Sequence, residues 1–231
     1  MDRKSDLALA FAFIVWIASD VSALAADDIT WTPPSSTYGE PETRVSGATR
    51  GERGCAPPEL HLDIMGPLAI GLTTKAQPTL YWHATKPADC KVQLTIEAVD
   101  ADEPLVELVL PGRPVAGINS YSLGGSAARL RPGVAYNWSI AYIVDPEQRS
   151  KDVTASGRIK LVGAPAGMDL ANGSALSRAQ NEARAGFWYD AFSELSAAIA
   201  VSPKDQSLQS ARAALLRQVG LNVAAASDPG L

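Results

Sequence analysis

A strict alternation of apolar and polar residues in the middle of the chain constrains the fold more than any other feature of the sequence. Between residues 134 and 142, every second position is apolar or aromatic: Val134, Tyr136, Trp138, Ile140 and Tyr142. Successive side chains of a β-strand point to opposite faces. This run is therefore predicted to be a strand with one buried face.

The same period of two recurs between about residue 61 and residue 162, with polar turns between the runs. Further strands are predicted at 79–84, 91–98, 105–110, 115–123 and 153–161. No helical period interrupts them. The sequence thus predicts an antiparallel β-sandwich over residues 59–163.

A Leu-x-Pro-Gly-x-x-Tyr segment precedes the strand at 134–142 and contains Pro132, Gly133 and Tyr136. It resembles the tyrosine corner of immunoglobulin-like and fibronectin type III sandwiches, whose Tyr hydroxyl bonds to backbone a few residues upstream. The resemblance implies that Tyr136 is structural rather than catalytic. Trp138 and Tyr142 lie on the same face and are predicted to be core residues, with ligand stacking as the alternative.

Residues 1–25 have the three parts of a secretory signal. A basic start is followed by an apolar run at 7–18 and by the small-residue pattern Ala23-Leu24-Ala25. Cleavage near Ala25 is predicted, which would make the mature protein periplasmic or secreted, with no integral membrane segment. An uncleaved anchor is the alternative, although the apolar run is shorter than the roughly 20 residues that a membrane helix needs.

Export favours a disulfide between Cys55 and Cys90, the two cysteines of the chain. Free buried thiols and pairing with a partner chain are the alternatives. Residues 26–58 are rich in Pro, Gly and Ser and show neither strand nor helix period. They are predicted to form a flexible leader, which would act as a linker or as a docking arm.

Beyond residue 163 the apolar period becomes helical, and three stripes predict a hairpin with a closing helix over residues 164–222. Residues 223–231 are predicted to be a disordered tail. The small residues and the proline of the hairpin resemble the second half of a tetratricopeptide repeat, in particular at Gly186, Ala191 and Pro203. A peptide-binding groove and packing against the sandwich are the two roles open to it.

Several short segments, taken in order, resemble a bacterial family catalogued as domain of unknown function 928. The segments are Thr49-Arg50-Gly51 running into Cys55, Gly71-Leu72-Thr73 with Pro78-Thr79, Tyr136-Asn137-Trp138, the turn 145–150, and Trp188-Tyr189-Asp190-Ala191. The resemblance covers roughly residues 45 to 222 and implies an exported bacterial protein. It carries over no catalytic residue. Val144 stands where some relatives are expected to carry Cys, which leaves Cys90 as the partner of Cys55.

Composition and motifs argue against several function classes. The formal charge of −5 and the absence of a basic block disfavour nucleic acid as a partner. The sequence lacks the nucleophile motifs of hydrolases, and no cofactor is predicted. His61, Asp63 and His83 are the one set that would suit a metal, and hydrogen-bonded histidines are the simpler interpretation.

The prediction from sequence is therefore a non-enzymatic module that binds another envelope protein. Asp145, Arg149 and Asp152, in the loop between two clear strands, are candidate contacts for this partner, or an ion pair that stiffens the turn. Binding of a small ligand or glycan near Tyr81 and Trp82 is the alternative. An unrecognised hydrolase or metal enzyme is the third class.

Overall fold

The structure is a computed structural model that describes residues 29–35, 44–48, 54–167 and 172–227. The strands in this part of the chain are β1 (Gly47–Ala48), β2 (His61–Ile64), β3 (Ile70–Thr73), β4 (Thr79–Ala84), β5 (Lys91–Ala98), β6 (Val106–Val109), β7 (Gly117–Ser122), β8 (Ala135–Ile143) and β9 (Val153–Leu161). The helices are α1 (Ala175–Arg184), α2 (Trp188–Val201), α3 (Gln206–Gln218) and α4 (Asn222–Ala226).

The strands form two sheets. A four-stranded sheet has the order β1-β2-β4-β7, and a five-stranded sheet has the order β3-β9-β8-β5-β6. Every pair is antiparallel except β3 and β9, which run parallel. This pair corrects the prediction of a wholly antiparallel sandwich. The chain passes from one sheet to the other between β2 and β3, so no hairpin imposes an antiparallel pairing on β3.

The alternating residues of β8 fill the space between the sheets. Tyr136, Trp138 and Tyr142 are almost completely buried, as predicted for core residues. Trp82 on β4 belongs to the same core, because its Nε1 donates to the Tyr142 hydroxyl at 3.1 Å. Burial raises the pKa of Tyr142 to about 12. Trp82 and Tyr142 are thus both core residues.

The turn before β8 has the hydrogen bond that its sequence predicts. The Arg131 N–H donates to the Tyr136 hydroxyl at 3.1 Å. Gly133, between them, has a φ of +79°, a region that strongly favours glycine. Tyr136 thus fixes the connection that leads into β8.

The predicted disulfide is confirmed. Cys55 and Cys90 are bonded, with their Cα atoms 5.0 Å apart. The bond joins the segment before β2 to the segment before β5, and these strands belong to different sheets. It therefore links the two sheets covalently near one end of the sandwich.

Two parts of the predicted flexible leader make ordered contacts. Gly47 and Ala48 form β1, at the edge of the four-stranded sheet. Residues 29–35 lie on the helices, where the Thr32 N–H donates to the Ala183 carbonyl at 3.1 Å and the Trp31 ring packs edge-on against Trp188. Such short segments escape a periodicity test, which needs several turns or strand repeats. Of the predicted leader, positions 26–28, 36–43 and 49–53 lie outside the described residues.

The C-terminal region differs from the predicted tail. Residues 222–226 form α4, and Ala224 and Ala225 are buried against the preceding helices. Positions 228–231 and the predicted signal at 1–25 lie outside the described residues. None of the described helices has the length and hydropathy needed to cross a membrane.

Candidate ligand-binding cleft

The helices pack on the sandwich, and α2 makes the main contact. It begins directly after Gly186, whose φ of +89° turns the chain between α1 and α2. A Cβ atom at Gly186 would also lie 2.5 Å from the Pro34 side chain. Glycine is thus required at position 186 both by the conformation of the turn and by the close packing of the N-terminal segment.

Tyr189 of α2 inserts into the open side of the sandwich. Its hydroxyl accepts from Trp138 Nε1 at 2.9 Å and donates to the Arg158 carbonyl at 3.1 Å. Burial raises the pKa of Tyr189. Gly71 on β3 makes room for the ring, since a Cβ there would lie 2.5 Å from Tyr189 Cε2. The Gly71 and Tyr189 segments, both noted in the sequence, are thus in direct contact.

Asp190 supplies a second anchor between the layers. This buried carboxylate accepts from the Thr73 hydroxyl at 2.5 Å, and from the Thr74 N–H at 2.8 Å and the Thr74 hydroxyl at 2.5 Å. Trp188, its near neighbour, donates from Nε1 to the Met65 carbonyl at 3.1 Å. Three consecutive residues of α2 therefore hold the helices to both sheets.

This packing decides between the two roles open to the hairpin. The aromatic residues of α2, together with Leu195 and Ile199, are buried, and the large apolar side chains that remain exposed on the described helices are Val201 and Val223. The face that would have formed a peptide groove is therefore covered. The hairpin packs against the sandwich.

A cleft of about 690 Å³ remains where the helices meet the outer face of β4 and β7. The sheet and the loops next to it contribute Tyr81, His83, Thr85, Ala116, Gly117, Ile118 and Ser120, and the helices contribute Ser196, Arg212, Val223 and Ser227. Each wall belongs to a different layer of the fold. The docking of the helices thus creates the cleft.

Two buried polar side chains lie in the walls of the cleft. Arg212 of α3 is 6% exposed and donates to the Ser196 hydroxyl of α2 at 3.3 Å. His83 of β4 is 1% exposed, and its Nε2 lies 2.7 Å from the hydroxyl of Ser227, at the end of α4. Tyr81 packs edge-on against Phe192, with ring centroids 5.1 Å apart. These contacts fix the polar groups in place.

The Ser227–His83 contact has the spacing of a nucleophile and its base. However, the Ser227 hydroxyl also donates to the Ala224 carbonyl, at 3.2 Å. When its hydrogen points to Ala224, His83 Nε2–H is the donor to Ser227. The pair then joins the end of α4 to the sheet, which is a structural role.

The set of His61, Asp63 and His83, considered above as metal ligands, is divided between two places in the fold. His61 Nε2 lies 3.1 Å from Asp63 Oδ2, and Asp63 also accepts from the Ser46 hydroxyl. His83 contacts α4 instead. Within the described ranges no group of three or more His, Cys, Asp or Glu side chains is arranged to hold a metal ion.

The loop between β8 and β9 is held by its own ion pairs. Arg149 Nε donates to Asp152 Oδ2 at 2.6 Å, and Asp152 Oδ1 accepts from the Val144 N–H at 3.0 Å. Lys151 donates to Asp145 at 3.1 Å, and this hydrogen bond is the main cause of the lowered pKa of Asp145. Arg149 therefore pairs with Asp152 rather than with Asp145, and both carboxylates stiffen the turn.

Sequence reasoning identified Tyr81 and His83 but missed Arg212 and Ser196. Both missed residues come from helices far along the chain from β4. The one available signal was the position of Arg212 between Ala211 and Ala213, since a charged residue within a run of small helical residues is unusual in a buried face. The position of Ser196 carried no such signal.

The fold and the cleft define a two-sheet β-sandwich with a C-terminal helical layer docked on it. A profile of the family described as Domain of Unknown Function (DUF928) matches residues 45–229. The chain belongs to this family. The match confirms the resemblance seen in the sequence and extends it from residue 222 to residue 229, beyond the end of α4.

Other comparisons add little. No curated protein matches the chain. Among solved structures, a multi-domain immunophilin from Arabidopsis thaliana is 10% identical over 77% of this chain and 95% of its own, with a TM-score of 0.17. This similarity is too low to support an argument about fold or function.

Proposed function

We propose that the protein is an exported, non-enzymatic bacterial protein that binds a small molecule in the cleft between the sheet and the helices. The observation that supports this function is the pair of buried polar side chains, Arg212 and His83, in the walls of a cleft of about 690 Å³. Small-molecule sites commonly have volumes of roughly 300 to 1,000 Å³ and combine apolar walls with a few fixed polar groups.

The disulfide supports export. Bonds such as Cys55–Cys90 persist in oxidising compartments and are rare in the cytosol. Mass spectrometry of the protein recovered from the envelope or medium of its native cells tests this point. We expect a mature chain that begins at Ala26, after cleavage near Ala25. Recovery of a chain with all of residues 1–25 would contradict cleavage and favour the anchor.

We also propose that the sandwich is of the immunoglobulin or fibronectin III type and that α1 and α2 are related to one tetratricopeptide hairpin. The Tyr136 hydrogen bond supports the first relation. Gly186 at the turn and Pro203 two residues after α2 support the second. The hairpin serves here as a wall of the cleft.

A ligand screen, repeated with a variant whose cleft is blocked by a larger side chain, tests the binding function. The protein is isotopically labelled and screened by NMR against a library of soluble metabolites, both charged and neutral. We expect compounds that shift the backbone signals of β4, β7 and α3 together. Ile118→Trp, in the wall of the cleft, is expected to abolish these shifts, whereas Val201→Trp, on an exposed helical position, leaves them unchanged.

Two results would refute the function. One is a screen in which no compound of the library shifts the backbone signals of β4, β7 and α3. The other is a set of compounds whose shifts survive Ile118→Trp, because their site would then lie elsewhere. Both variants are first compared with the parent protein by thermal unfolding, so that a misfolded variant is not mistaken for a blocked one.

Binding of an envelope protein is the second candidate function. It is favoured by the edge strand β6, at whose two ends Leu105 and Val109 are 38% and 53% exposed. Arg149 of the β8–β9 loop reaches the same face, because it donates to Gln93, which pairs with Val109. Exposed apolar edge strands are common docking sites for a second chain.

A photo-crosslinking residue placed at position 109 tests this candidate in the native cells. One defined envelope protein, captured from position 109 but not from the more exposed position 201, would establish the interaction. An identical set of captured proteins from both positions would contradict it.

A further inference from the structure

We propose that two copies of this chain associate through the edge strand β6, which pairs antiparallel with β6 of the second copy and joins the two five-stranded sheets. This inference rests on the second candidate function, the docking of a chain at β6, and names that chain. It depends on the open backbone edge of β6, on the charges at its two ends and on the register that these charges select.

The outer backbone edge of β6 is open. The Leu110 N–H donates to the Val92 carbonyl at 2.8 Å, and every second residue back to Val106 therefore directs its backbone groups to β5. Glu107 and Val109, at the alternate positions, direct theirs away from the sheet. No strand among the described residues lies on that side of β6. At the opposite edge of the same sheet, β3 is covered by α2.

The side chains of β6 offer little protection to this edge. Natural proteins block open edges with lysines, with inward-pointing charges or with a covering helix. β6 carries one charged residue, Glu107, which accepts from Gln93 Nε2 at 2.6 Å on the outer face of the sheet. The exposed side chains of Leu105 and Val109 add apolar surface. Such an edge favours another strand as its partner.

The two ends of β6 differ in charge. The end that follows the β5–β6 turn carries four exposed acids: Glu97, Asp100, Asp102 and Glu103. The other end carries two cations, Lys91 at the start of β5 and Arg113 after β6, of which Arg113 is paired with Asp89. Antiparallel association of two copies places the acidic end of each beside the cations of the other. The edge is thus complementary to itself across a two-fold axis, which identifies a second copy as the partner.

Charge also selects the register of the pairing. Residues with outward backbone groups must lie opposite one another, so Glu107 lies opposite either Glu107 or Val109 of the second copy. Like charges directly opposite are destabilising, which favours Val109. The two-fold axis then passes at Leu108. Because Glu103 and Arg113 lie five residues on either side of Leu108, this register brings Glu103 of one copy towards Arg113 of the other.

Sedimentation of the protein, purified with its disulfide intact, measures the association. β6 contributes four residues, so the contact is small and we expect a reversible monomer–dimer equilibrium between about 1 µM and 1 mM, weakened by salt. Val109→Pro removes an outward N–H and places its ring in the path of the second copy, so it should weaken dimerisation at least about tenfold. Val109→Thr keeps the N–H and the shape of the side chain, and should leave the dimer unchanged.

Charge reversal tests the partner without a change in the strand itself. Glu103→Lys and Arg113→Glu should each weaken the dimer by roughly threefold to tenfold. The combination of the two should restore it, because the pair across the axis is recreated with its charges exchanged. Lys204→Glu, at an exposed position between α2 and α3, is the control for net charge.

A cysteine at the two-fold axis tests the register. Leu108→Cys should give a covalent dimer on oxidation, because the Cα atoms of such an opposed pair lie about 4.5 Å apart, within the range of a disulfide. Val201→Cys, at an exposed position of α2, should give none.

The outcomes separate this inference from the docking function on which it rests. A protein that stays monomeric at every concentration overturns the second copy as partner, and so does a dimer that a folded Val109→Pro variant leaves intact. If thermal unfolding shows that Val109→Pro does not fold, the charge variants decide, and failure of their combination to restore the dimer overturns the antiparallel arrangement. A monomeric protein from which position 109 still captures a different envelope protein in cells refutes the second copy and retains the docking function.

Discussion

Replacement of Glu182 by Gln should stabilise the protein at alkaline pH. Glu182 lies on α1 with its side chain 6% exposed, and its Oε2 makes no hydrogen bond within the described residues. Burial, and to a lesser extent the nearby Asp190 carboxylate, raise the pKa of this carboxyl from 4.5 to about 7. The charged form is therefore unfavourable in the folded protein.

The sign of the pH dependence follows from this shift. Below pH 4.5 Glu182 is protonated in both the folded and the unfolded chain. Between 4.5 and about 7 the folded chain retains the proton that the unfolded chain has released, so the free energy of unfolding falls as pH rises. The interval of about 2.5 pH units corresponds to an upper value of about 3.5 kcal/mol, at roughly 1.4 kcal/mol per unit.

Gln has the same shape and no charge, so it removes this cost. We expect Glu182→Gln to raise the free energy of unfolding by about 2 to 3 kcal/mol at pH 8.5 and to change it little at pH 4.5. Urea unfolding monitored by tryptophan fluorescence, with the disulfide intact, measures both values. Glu147→Gln is the control, because Glu147 lies exposed in the β8–β9 loop.

The difference in the free energy of unfolding between the parent protein and Glu182→Gln reports the titration of Glu182 alone, because the other titrating groups are common to both proteins. A difference that stays constant from pH 4.5 to 8.5 would refute the reasoning. So would a difference of the same size in Glu147→Gln, because the effect would then come from net charge rather than from burial.

Three further changes test the contacts that hold the fold together, each by urea unfolding. Asp190→Ala leaves three donors without their acceptor, the buried Thr73 hydroxyl and two half-buried groups of Thr74, and should cost about 3 to 5 kcal/mol, with a smaller loss in Asp190→Asn. Replacing Cys55 and Cys90 by Ser opens a 35-residue loop and should cost about 4 kcal/mol, an effect that a reducing agent reproduces in the parent protein alone. Gly71→Ala should cost about 1 to 3 kcal/mol because its Cβ meets Tyr189, whereas Gly163→Ala, which meets nothing within 4 Å, should cost none of this.

The sequence predicted those strands of the sandwich that have one buried face and one exposed face, because such strands alternate apolar and polar residues. The alternation at residues 79–84, 91–98 and 153–161 gives the bounds of β4, β5 and β9 as the structure has them. β3 was not predicted because all four of its residues are buried, so its sequence has no alternation to detect. Its parallel pairing depends on the crossing between sheets, which local sequence does not determine.

The cleft was predictable only on the side of the sheet. Tyr81 lies in a strand whose alternation places it opposite the core residue Trp82, so its outward direction follows from the pattern. Arg212 and Ser196 reach the cleft because α2 docks on both sheets, and this docking depends on the fit of Tyr189 against Gly71. Such a fit between residues more than one hundred positions apart has no signature in a single sequence.

The anchor and the cleft share one helix, and this arrangement couples ligand binding to the docking of the helical layer. One face of α2 places Tyr189 and Asp190 against the sandwich, while another part of the same helix places Ser196 in the cleft. A ligand held between Ser196 or Arg212 and the outer face of β4 would contact both layers at once. Because such a ligand binds only the docked arrangement, it stabilises that arrangement by an amount that grows with the logarithm of its concentration. Weakening the anchor at Asp190 should therefore lower ligand affinity even though Asp190 does not line the cleft.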